Sequence, residues 1–458
     1  MSQDLRKFIS AYETAFPGEV LRINHEIDKR YEPTALIKEL DKKNRQPIVI
    51  FNHIKDSSIP VVTNILASRN SIAFSLGIKE EELVKQCAKR VKNRFTPKVL
   101  PDAPFNDNYR TNEQINLYNF PIFTHYPVDA GPYITGGLVV ARDPDTGAAT
   151  CGYHRMQLKD KNKLGISLHS RKRLWDYYRR AEEAGKNLPA AVVFGVHPAI
   201  SLGAMAVLPL DQGKFDVIGG LLDAPVELAD CKDIDVQVPY WSEIVIEGEI
   251  MAGEREKEGP FAEFTNYAAF RSTENVFRVK SISYRNNPLF QSITGGMSAE
   301  HNNIMAVQRE GDVLKSLNEG LPNIKKVNIP MSGCGFFHCY ISMKKSAEGQ
   351  PVQAIIKALS LDHNLKLVIV VDEDVDVSDE TSVLWAVATR VQADRDVLII
   401  PQHQGMGCTL DPSSDELSRS SKMGIDATKP LSGFSGTSLY LPEEQIEKMK
   451  KLLKNIGY

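Results

Sequence analysis

The sequence has little cysteine and no long apolar run. Its six cysteines include no C-x-x-C pair, so we expect scattered reduced thiols rather than a zinc site or a disulfide framework. No apolar run approaches the length of a membrane span, and residues 1–7 are charged, without a signal-peptide core, so the expected location is the cytoplasm. The formal net charge is only −3, and the basic clusters lack interleaved aromatics, so neither a nucleic acid nor a membrane is an expected partner.

The composition is that of a globular protein, with 42% apolar and 25% charged residues, and 458 residues exceed one ordinary core. We predict a multidomain protein of mixed α/β and β class. It comprises an N-terminal α/β domain over 1–115, a β-rich domain over 116–300 and a C-terminal α/β domain over 301–458. Residues 94–120, rich in Pro, Asn and Asp, predict a linker.

The C-terminal third shows a strand–helix–strand pattern. An apolar run over 365–371 is followed by a helical pattern over 380–392 and a second apolar run over 396–400, which predicts a parallel α/β unit. Residues 442–456 predict a terminal amphipathic helix, whose apolar stripe would suit a partner subunit.

The most informative stretch is the hexapeptide EGPFAE, which runs from Glu258 to Glu263. Gly and Pro break regular structure, so a shaped turn carries both carboxylates. Two carboxylates held close tend to share one proton, which keeps a neutral acid near pH 7 for proton donation. The charged residues just upstream equally allow a solvated acidic turn.

Arg155 and the pair His169 and Glu227 are further candidates. An Arg between two carboxylates would fix their geometry and could hold a substrate carboxylate through two hydrogen bonds. One His and one carboxylate, with a hydroxyl or amide, suit a hard divalent ion such as Mn²⁺ or Mg²⁺. A strand-surface Arg and an unligated His remain open alternatives.

Two more groups could bind anions. Lys422 lies among hydroxyls and a glycine in SSKMGIDAT, where a phosphate could be received, although a polar loop is equally possible. His301 and Arg309 lie eight residues apart on a helix predicted over 301–319, so they share one face. The pair could grip a second polar or anionic group of a ligand, or face solvent.

Together these stretches resemble one family, the UbiD-type decarboxylases that use prenylated FMN (prFMN). The resemblance implies a central flavin-reductase-like split β-barrel and a C-terminal oligomerisation domain with a terminal helix. It extends over nearly the whole chain, and its most specific element is EGPFAE. The supporting stretches are DAGPYIT at 129–135, the GYHR ending at Arg155, GVHPAISLGAMAVLP at 195–209, VELADC at 226–231, VVDEDVDV at 370–377 and SKMGIDAT at 421–428.

The resemblance also implies residue roles. Arg155, Glu258 and Glu263 would form the catalytic trio, with Glu263 as proton donor. The cofactor phosphate would be held through Mn²⁺ (or Mg²⁺), with K⁺ nearby. One position departs from the family, which usually has Asn as a metal ligand where this chain has Thr150, whose hydroxyl can ligate a hard ion but is shorter. The implied metal ligands are Thr150, His169 and Glu227, and the implied cofactor contacts are Thr150, Tyr153, His154, Arg155, Leu168, His169, Ala204, Met205, Glu227 and Lys422.

His301 and Arg309 resemble a pair that furan-2,5-dicarboxylate decarboxylases place around the second carboxylate of their substrate. The predicted reaction is therefore the reversible decarboxylation of 2,5-furandicarboxylate to 2-furoate and CO₂, with a hydroxybenzoate-type acid as the alternative substrate. A flavin prenyltransferase would supply the cofactor, and the resemblance implies a homodimer or homohexamer. Other readings are a non-decarboxylating split-barrel flavoprotein, a metal hydrolase built on His169 and Glu227, or a structural subunit of a larger carboxylase.

Overall fold

The computed structural model describes residues 2–168, 173–210, 212–270, 273–437, 439 and 441–456, without the side chain of Lys454. The helices are α1 (Leu5–Ala15), α2 (Glu32–Lys42), α3 (Arg69–Ser75), α4 (Leu83–Arg90), α5 (Arg173–Glu183), α6 (Pro198–Gly203), α7 (Lys214–Leu222), α8 (Ala299–Asn318), α9 (Gln350–Leu361), α10 (Glu380–Arg390), α11 (Ala393–Asp396) and α12 (Glu443–Asn455).

The longest strands lie in the middle of the chain. They are β1 (Val20–Ile27), β2 (Ile48–Ile54), β3 (Val61–Thr63), β4 (Lys98–Val99), β5 (Asn108–Thr111), β6 (Tyr133–Ile134), β7 (Leu138–Arg142), β8 (Ala149–Tyr153), β9 (Met156–Asp160), β10 (Lys163–Ile166), β11 (Leu188–Phe194), β12 (Glu227–Asp230), β13 (Gln237–Pro239), β14 (Ile244–Glu256), β15 (Phe261–Ala262), β16 (Ala268–Ala269), β17 (Glu274–Tyr284), β18 (Phe290–Gln291), β19 (Ile324–Asn328), β20 (His338–Met343), β21 (Leu367–Asp372), β22 (Val397–Gln404) and β23 (Arg419–Ala427).

The N-terminal part is a four-stranded sheet in the order β1-β2-β3-β18, covered by helices. Helix α1 begins where the Asp4 carboxylate accepts the backbone N–H groups of Arg6 and Lys7, an N-cap. Its apolar residues recur at helical spacing and are buried, so one stripe packs on the sheet. Strand β18 comes from far along the chain, which ties this sheet to the central part.

The central part is a nine-stranded sheet with the order β6-β9-β10-β17-β14-β11-β7-β8, and β5 pairs with β17 beside this path. The long antiparallel pair β14 and β17 forms its middle, and buried apolar side chains cover it. In the part of the chain that the structure describes, the strand order does not return from β8 to β6. The mixed α/β multidomain class is as predicted, whereas the strand pairing does not establish the split barrel.

The prediction of a linker over residues 94–120 is wrong. Strand β4 pairs with β12 in parallel, strand β5 pairs antiparallel with β17, and Phe105 between them is fully buried. The prolines and asparagines of this stretch belong to tight turns, such as the 3₁₀ turn that begins at Pro104, rather than to a free connection.

The C-terminal part is a five-stranded sheet in the order β19-β20-β21-β23-β22. The parallel unit is β20–α9–β21, not the predicted pair of strands β21 and β22. Strand β23 lies between those two, parallel to β21 and antiparallel to β22. The loop between β22 and β23 turns the chain back on itself, so β22 becomes an antiparallel edge strand.

Helix α8 connects the three parts. The buried carboxylate of Glu300 accepts the N–H groups of Asn64 (2.7 Å) and Leu66 (3.1 Å) from the N-terminal part. Ten residues further along the same helix, Glu310 accepts the N–H of Ile329 (2.7 Å) and pairs with Arg69. Both oxygens of Glu300 thus have partners at one joint between the parts, whereas at the other joint Oε1 of Glu310 takes both contacts and its buried Oε2 has no partner among the described residues.

The terminal helix is confirmed as α12, and its apolar residues remain exposed. Ile446, Met449, Leu452 and Leu453 keep between 38% and 49% of their surface accessible. Among the helices that the structure describes, none is both long enough and apolar enough to cross a membrane.

Candidate active site

Arg155 lies in a two-residue break between β8 and β9. The backbone carbonyl of Arg155 accepts the N–H of Ser167 (3.1 Å), which fixes the corner. The guanidinium donates from Nε and Nη2 to the two carboxylate oxygens of Glu258, each at 2.9 Å, and from Nη1 to Glu263. The three predicted catalytic residues thus contact one another, and Arg155 is not a strand-surface residue.

The EGPFAE turn is buried rather than solvated, so the alternative of a surface acidic turn is wrong. Glu258 keeps 1% of its surface accessible. The guanidinium of Arg155 lies 5.2 Å from the centre of the Phe261 ring, and the Tyr133 ring packs 4.4 Å from the same ring. The aromatic side chains therefore support the Arg–carboxylate group from beneath.

Asp129 holds this turn in place and was given no role by the sequence reasoning. Its carboxylate accepts the N–H groups of His125 (3.0 Å), Tyr126 (2.8 Å) and Ala262 (2.9 Å). Ala262 is the residue directly before Glu263. Burial raises the pKa of Asp129, although the three N–H groups oppose this shift. Asp129 is the first residue of DAGPYIT, one of the stretches that resemble the family. That resemblance pointed to this region but did not indicate what the Asp129 side chain does.

A second buried carboxylate, Glu274, lies behind the trio. Lys159 Nζ is 2.9 Å from its Oε1 and also donates to the carbonyl of Lys257, directly before Glu258, at 2.6 Å. Burial raises the pKa of Glu274 to about 7, Lys159 opposes the shift, and the charge of Glu258 adds to it. Gly165 leaves room for this carboxylate, since a Cβ at that position would lie 1.8 Å from Oε1.

His301, predicted to contact the substrate, lies beside the trio. Its Nδ1 is 3.0 Å from the carbonyl oxygen of Gly296, and because a carbonyl only accepts, Nδ1 carries the proton. Burial lowers the pKa of His301, and the Glu263 carboxylate opposes this shift. Its neighbour His125 is buried, and burial together with His301 lowers the pKa of His125 to about 3. A neutral His301 presents Nε2 as a hydrogen-bond acceptor.

Arg309 is not brought into this group. Its Nε donates to Asp362 at 2.8 Å, Nη1 donates to the carbonyl of Gly335 at 2.9 Å, and Nη2 donates to the carbonyl of Phe336 at 3.2 Å. The Phe336 ring lies 4.0 Å from the guanidinium and 4.8 Å from Phe264. Contact between Arg309 and a substrate stays a prediction.

Two of the residues predicted to contact the cofactor, Tyr153 and His154, are held in place by hydrogen bonds. Tyr153 donates through its hydroxyl to Ser201 (2.8 Å), and its ring packs in the same apolar cluster as Met205. His154 Nδ1 donates to the carbonyl of Ser167 at 3.2 Å. The buried Ser167 hydroxyl, next to Leu168, has no partner among the described residues. Such an orphaned hydroxyl fits a wall against which a polar ligand such as a flavin binds.

The predicted metal ligands form an incomplete set. Thr150 is buried, and Glu227 accepts the indole N–H of Trp241 at 2.6 Å. His169 lies outside the described residues. Within those residues no group of three His, Cys, Asp or Glu side chains is placed to hold a metal ion. Manganese ligation therefore stays a prediction.

Lys422, predicted to touch the cofactor phosphate, lies within strand β23 rather than a loop. Its ammonium is buried and donates to the carbonyl of His363 at 2.6 Å. Burial, with the charge of Lys366, lowers the pKa of Lys422 to about 8. In the described residues no hydrogen bond or ion pair joins Lys422 to the trio.

Comparison with known proteins yields matches along nearly the whole chain. Residues 14–91, 98–298 and 302–427 match the N-terminal, Rift-related and C-terminal domains of 3-octaprenyl-4-hydroxybenzoate carboxy-lyase (UbiD). The chain is 32% identical to the anhydromevalonate phosphate decarboxylase of Methanothermobacter thermautotrophicus over 413 residues, which cover 90% of this chain and 95% of the relative. It is also 32% identical to the phenolic acid decarboxylase of Bacillus subtilis over 448 residues, which cover 94% and 93%.

Among solved structures, the UbiD-class enzyme HmfF from Pelotomaculum thermopropionicum in complex with FMN is similar, with a TM-score of 0.91 and 34% identity. The match covers 98% of this chain and 99% of HmfF. An evolved dimeric form of that enzyme in complex with prFMN matches with a TM-score of 0.88 and 33% identity, over 97% of this chain and 98% of HmfF.

Proposed function

The chain belongs to the UbiD family of carboxy-lyases, and we propose that it decarboxylates an aromatic or heteroaromatic acid without net oxidation, with prFMN as cofactor. The observation that carries this proposal is the buried guanidinium of Arg155, which binds both Glu258 and Glu263. When bound, prFMN supplies the electron sink for the electron pair that remains when CO₂ leaves.

The surroundings of Glu258 and Glu263 differ, and they support different roles for the two acids. Glu258 has no exposed side-chain surface and both its oxygens face Arg155, so it fixes the guanidinium. Glu263 retains 13% of its side-chain surface and lies beside His301, so it is the acid that a ligand can reach. We assign proton donation to the substrate carbon to Glu263 and orientation of the substrate carboxylate to Arg155.

The substrate would carry a second polar group toward His301. A neutral His301 with Nδ1 bonded to Gly296 accepts at Nε2, which suits the hydroxyl of a phenolic acid. The second carboxylate of 2,5-furandicarboxylate would require a protonated His301, and it could use Arg309 only if the pair with Asp362 opened. This observation favours a hydroxylated aromatic acid, with the furan diacid as the second candidate.

Substrate turnover tests the proposal. The protein is co-expressed with a flavin prenyltransferase, supplied with Mn²⁺, and assayed by chromatography against 4-hydroxybenzoate, 3,4-dihydroxybenzoate, 2,5-furandicarboxylate and cinnamate. We expect CO₂ release from a hydroxylated ring acid. Turnover of the furan diacid alone would keep the reaction and overturn the role of Nε2 as an acceptor. Turnover without any flavin would overturn the reaction class and favour a hydrolase.

We also propose that the protein assembles as a homodimer or homohexamer. The exposed apolar residues of α12 support this proposal, because a stripe of this kind is normally covered. Sedimentation of the full chain beside a chain truncated after residue 441 tests it: a full chain that sediments as a monomer would contradict the proposal, and the truncated chain should contain fewer copies per particle.

A further inference from the structure

Two cationic side chains organise the connection between α6 and α7. Arg173 donates to three carbonyl oxygens of this connection, those of Leu208 (3.0 Å), Pro209 and Gln212. Lys214, the first residue of α7, donates from Nζ to the carbonyl of Cys151 at 2.9 Å and to that of Ala204. Five backbone carbonyls are thus directed at two side-chain cations.

The two carbonyls bound by Lys214 border the predicted cofactor site. Cys151 directly follows Thr150, the predicted metal ligand, and Ala204 directly precedes Met205. Both Ala204 and Met205 were predicted cofactor contacts. The ammonium of Lys214 therefore bridges strand β8 and the end of α6 at the place where the family resemblance implies a cofactor phosphate and its cations.

The position of Lys214 has an electrostatic cost. A positive charge in the first turn of a helix is disfavoured by the helix dipole. Asp216 in the same turn of α7 offsets part of this cost. The carbonyl oxygens of Cys151 and Ala204 compensate the charge, because each is the negative end of a peptide dipole.

Backbone carbonyl oxygens that converge on one point are also the ligands that K⁺ takes in proteins. An ammonium group and K⁺ both carry one positive charge and bind the same oxygens, so they exclude each other there. The carbonyls of Cys151 and Ala204 do not fit a potassium site in this chain, since Lys214 already binds both.

We propose that Lys214 supplies, as part of the chain, the monovalent positive charge that K⁺ would otherwise supply at the cofactor site. Cofactor binding should then be independent of potassium. The inference rests on the proposed flavin site, and the experiment distinguishes a failure of the inference from a failure of the flavin proposal.

The first arm uses the wild-type protein and FMN as the probe. Its dissociation constant is measured by quenching of flavin fluorescence in KCl, NaCl and choline chloride at equal ionic strength. We expect the same constant in all three salts within about twofold, a difference of ~0.4 kcal/mol. Binding about tenfold tighter in KCl would overturn the inference and leave the flavin proposal intact. No binding in any salt would overturn both.

The second arm uses Lys214→Met, with Lys280→Met as the matched control. Lys280 pairs with Glu249 on the surface of β17, away from the proposed site. In choline chloride, Lys214→Met should bind FMN about tenfold more weakly or worse, as expected when a charged partner of buried carbonyls is lost. Potassium or ammonium ions should restore binding, and Lys280→Met should match wild type throughout. Wild-type affinity of Lys214→Met in choline chloride would overturn the inference. If Lys214→Met does not fold, the comparison of salts with the wild-type protein still tests the inference.

Discussion

Asp129→Asn tests whether the position of Glu263 depends on the backbone bonds that Asp129 makes. The carboxylate accepts three N–H groups, two from residues 125 and 126 and one from Ala262, which directly precedes Glu263. An Asn amide keeps one oxygen, which can accept the first two. Its NH₂ group then faces the N–H of Ala262, and two donors cannot bond.

The expected size of the effect follows from that loss. A hydrogen bond to a charged group contributes about 1.5–3 kcal/mol, so Asp129→Asn should lower the free energy of unfolding by about 2 kcal/mol. Release of Ala262 lets Glu263 shift, and a displacement of about 1 Å at a catalytic group costs about a hundredfold in rate. We expect kcat on the accepted acid to fall between about tenfold and a hundredfold, with FMN affinity unchanged.

The assay pairs urea unfolding with steady-state kinetics at pH 8. Asp235→Asn is the control, because that carboxylate is 91% exposed and pairs with Arg142 at the surface. The reasoning would be refuted if Asp129→Asn kept full kcat, or if it were no less stable than Asp235→Asn.

Three further predictions follow from the contacts. Glu263→Gln should abolish CO₂ release while FMN still binds, and a fully active variant would remove Glu263 as proton donor. Arg309→Ala should lower turnover of a diacid and of its monoacid analogue by similar factors, because its donors bind Asp362 and two carbonyls; a loss confined to the diacid would contradict this. Burial raises the pKa of Glu300 to about 7 from an unfolded value of about 4.5, so the folded chain keeps a proton that the unfolded chain loses. Stability should therefore fall by about 3 kcal/mol between pH 4.5 and 7, and urea midpoints of Glu300→Gln should fall less over that window; equal slopes would disprove it.

Local chemistry predicted much of the fold. The apolar spacing of α12 and the Gly-Pro turn of EGPFAE are encoded within a few residues, and the structure has both. The direction of β22 could not be read in this way, because it depends on β23 entering the sheet beside β21. The order of strands in a sheet depends on pairing between segments that are far apart in the sequence, and the hydrophobic periodicity of one segment does not reveal it.

Arg155, Glu258 and Glu263 were singled out from the sequence and do contact one another, whereas the residues that support them were not singled out. Charged residues at a turn draw attention in a sequence, but Asp129 and Glu274 lie in ordinary-looking strand and loop stretches. Their roles arise from partners more than a hundred residues away, the N–H of Ala262 for Asp129 and the ammonium of Lys159 for Glu274. Lys214 was missed for a similar reason, since its partners are carbonyl groups, which every residue has.

Gly165 has no part in the chemistry, yet it limits how this enzyme can be altered. Any side chain at that position would occupy the space that the Glu274 carboxylate fills. A library of random substitutions selected for activity should therefore retain glycine at position 165 about as strictly as the three residues of the trio. An engineer who wishes to reshape the site would do better to begin at His301, because a smaller side chain there would not compete with a buried carboxylate for space.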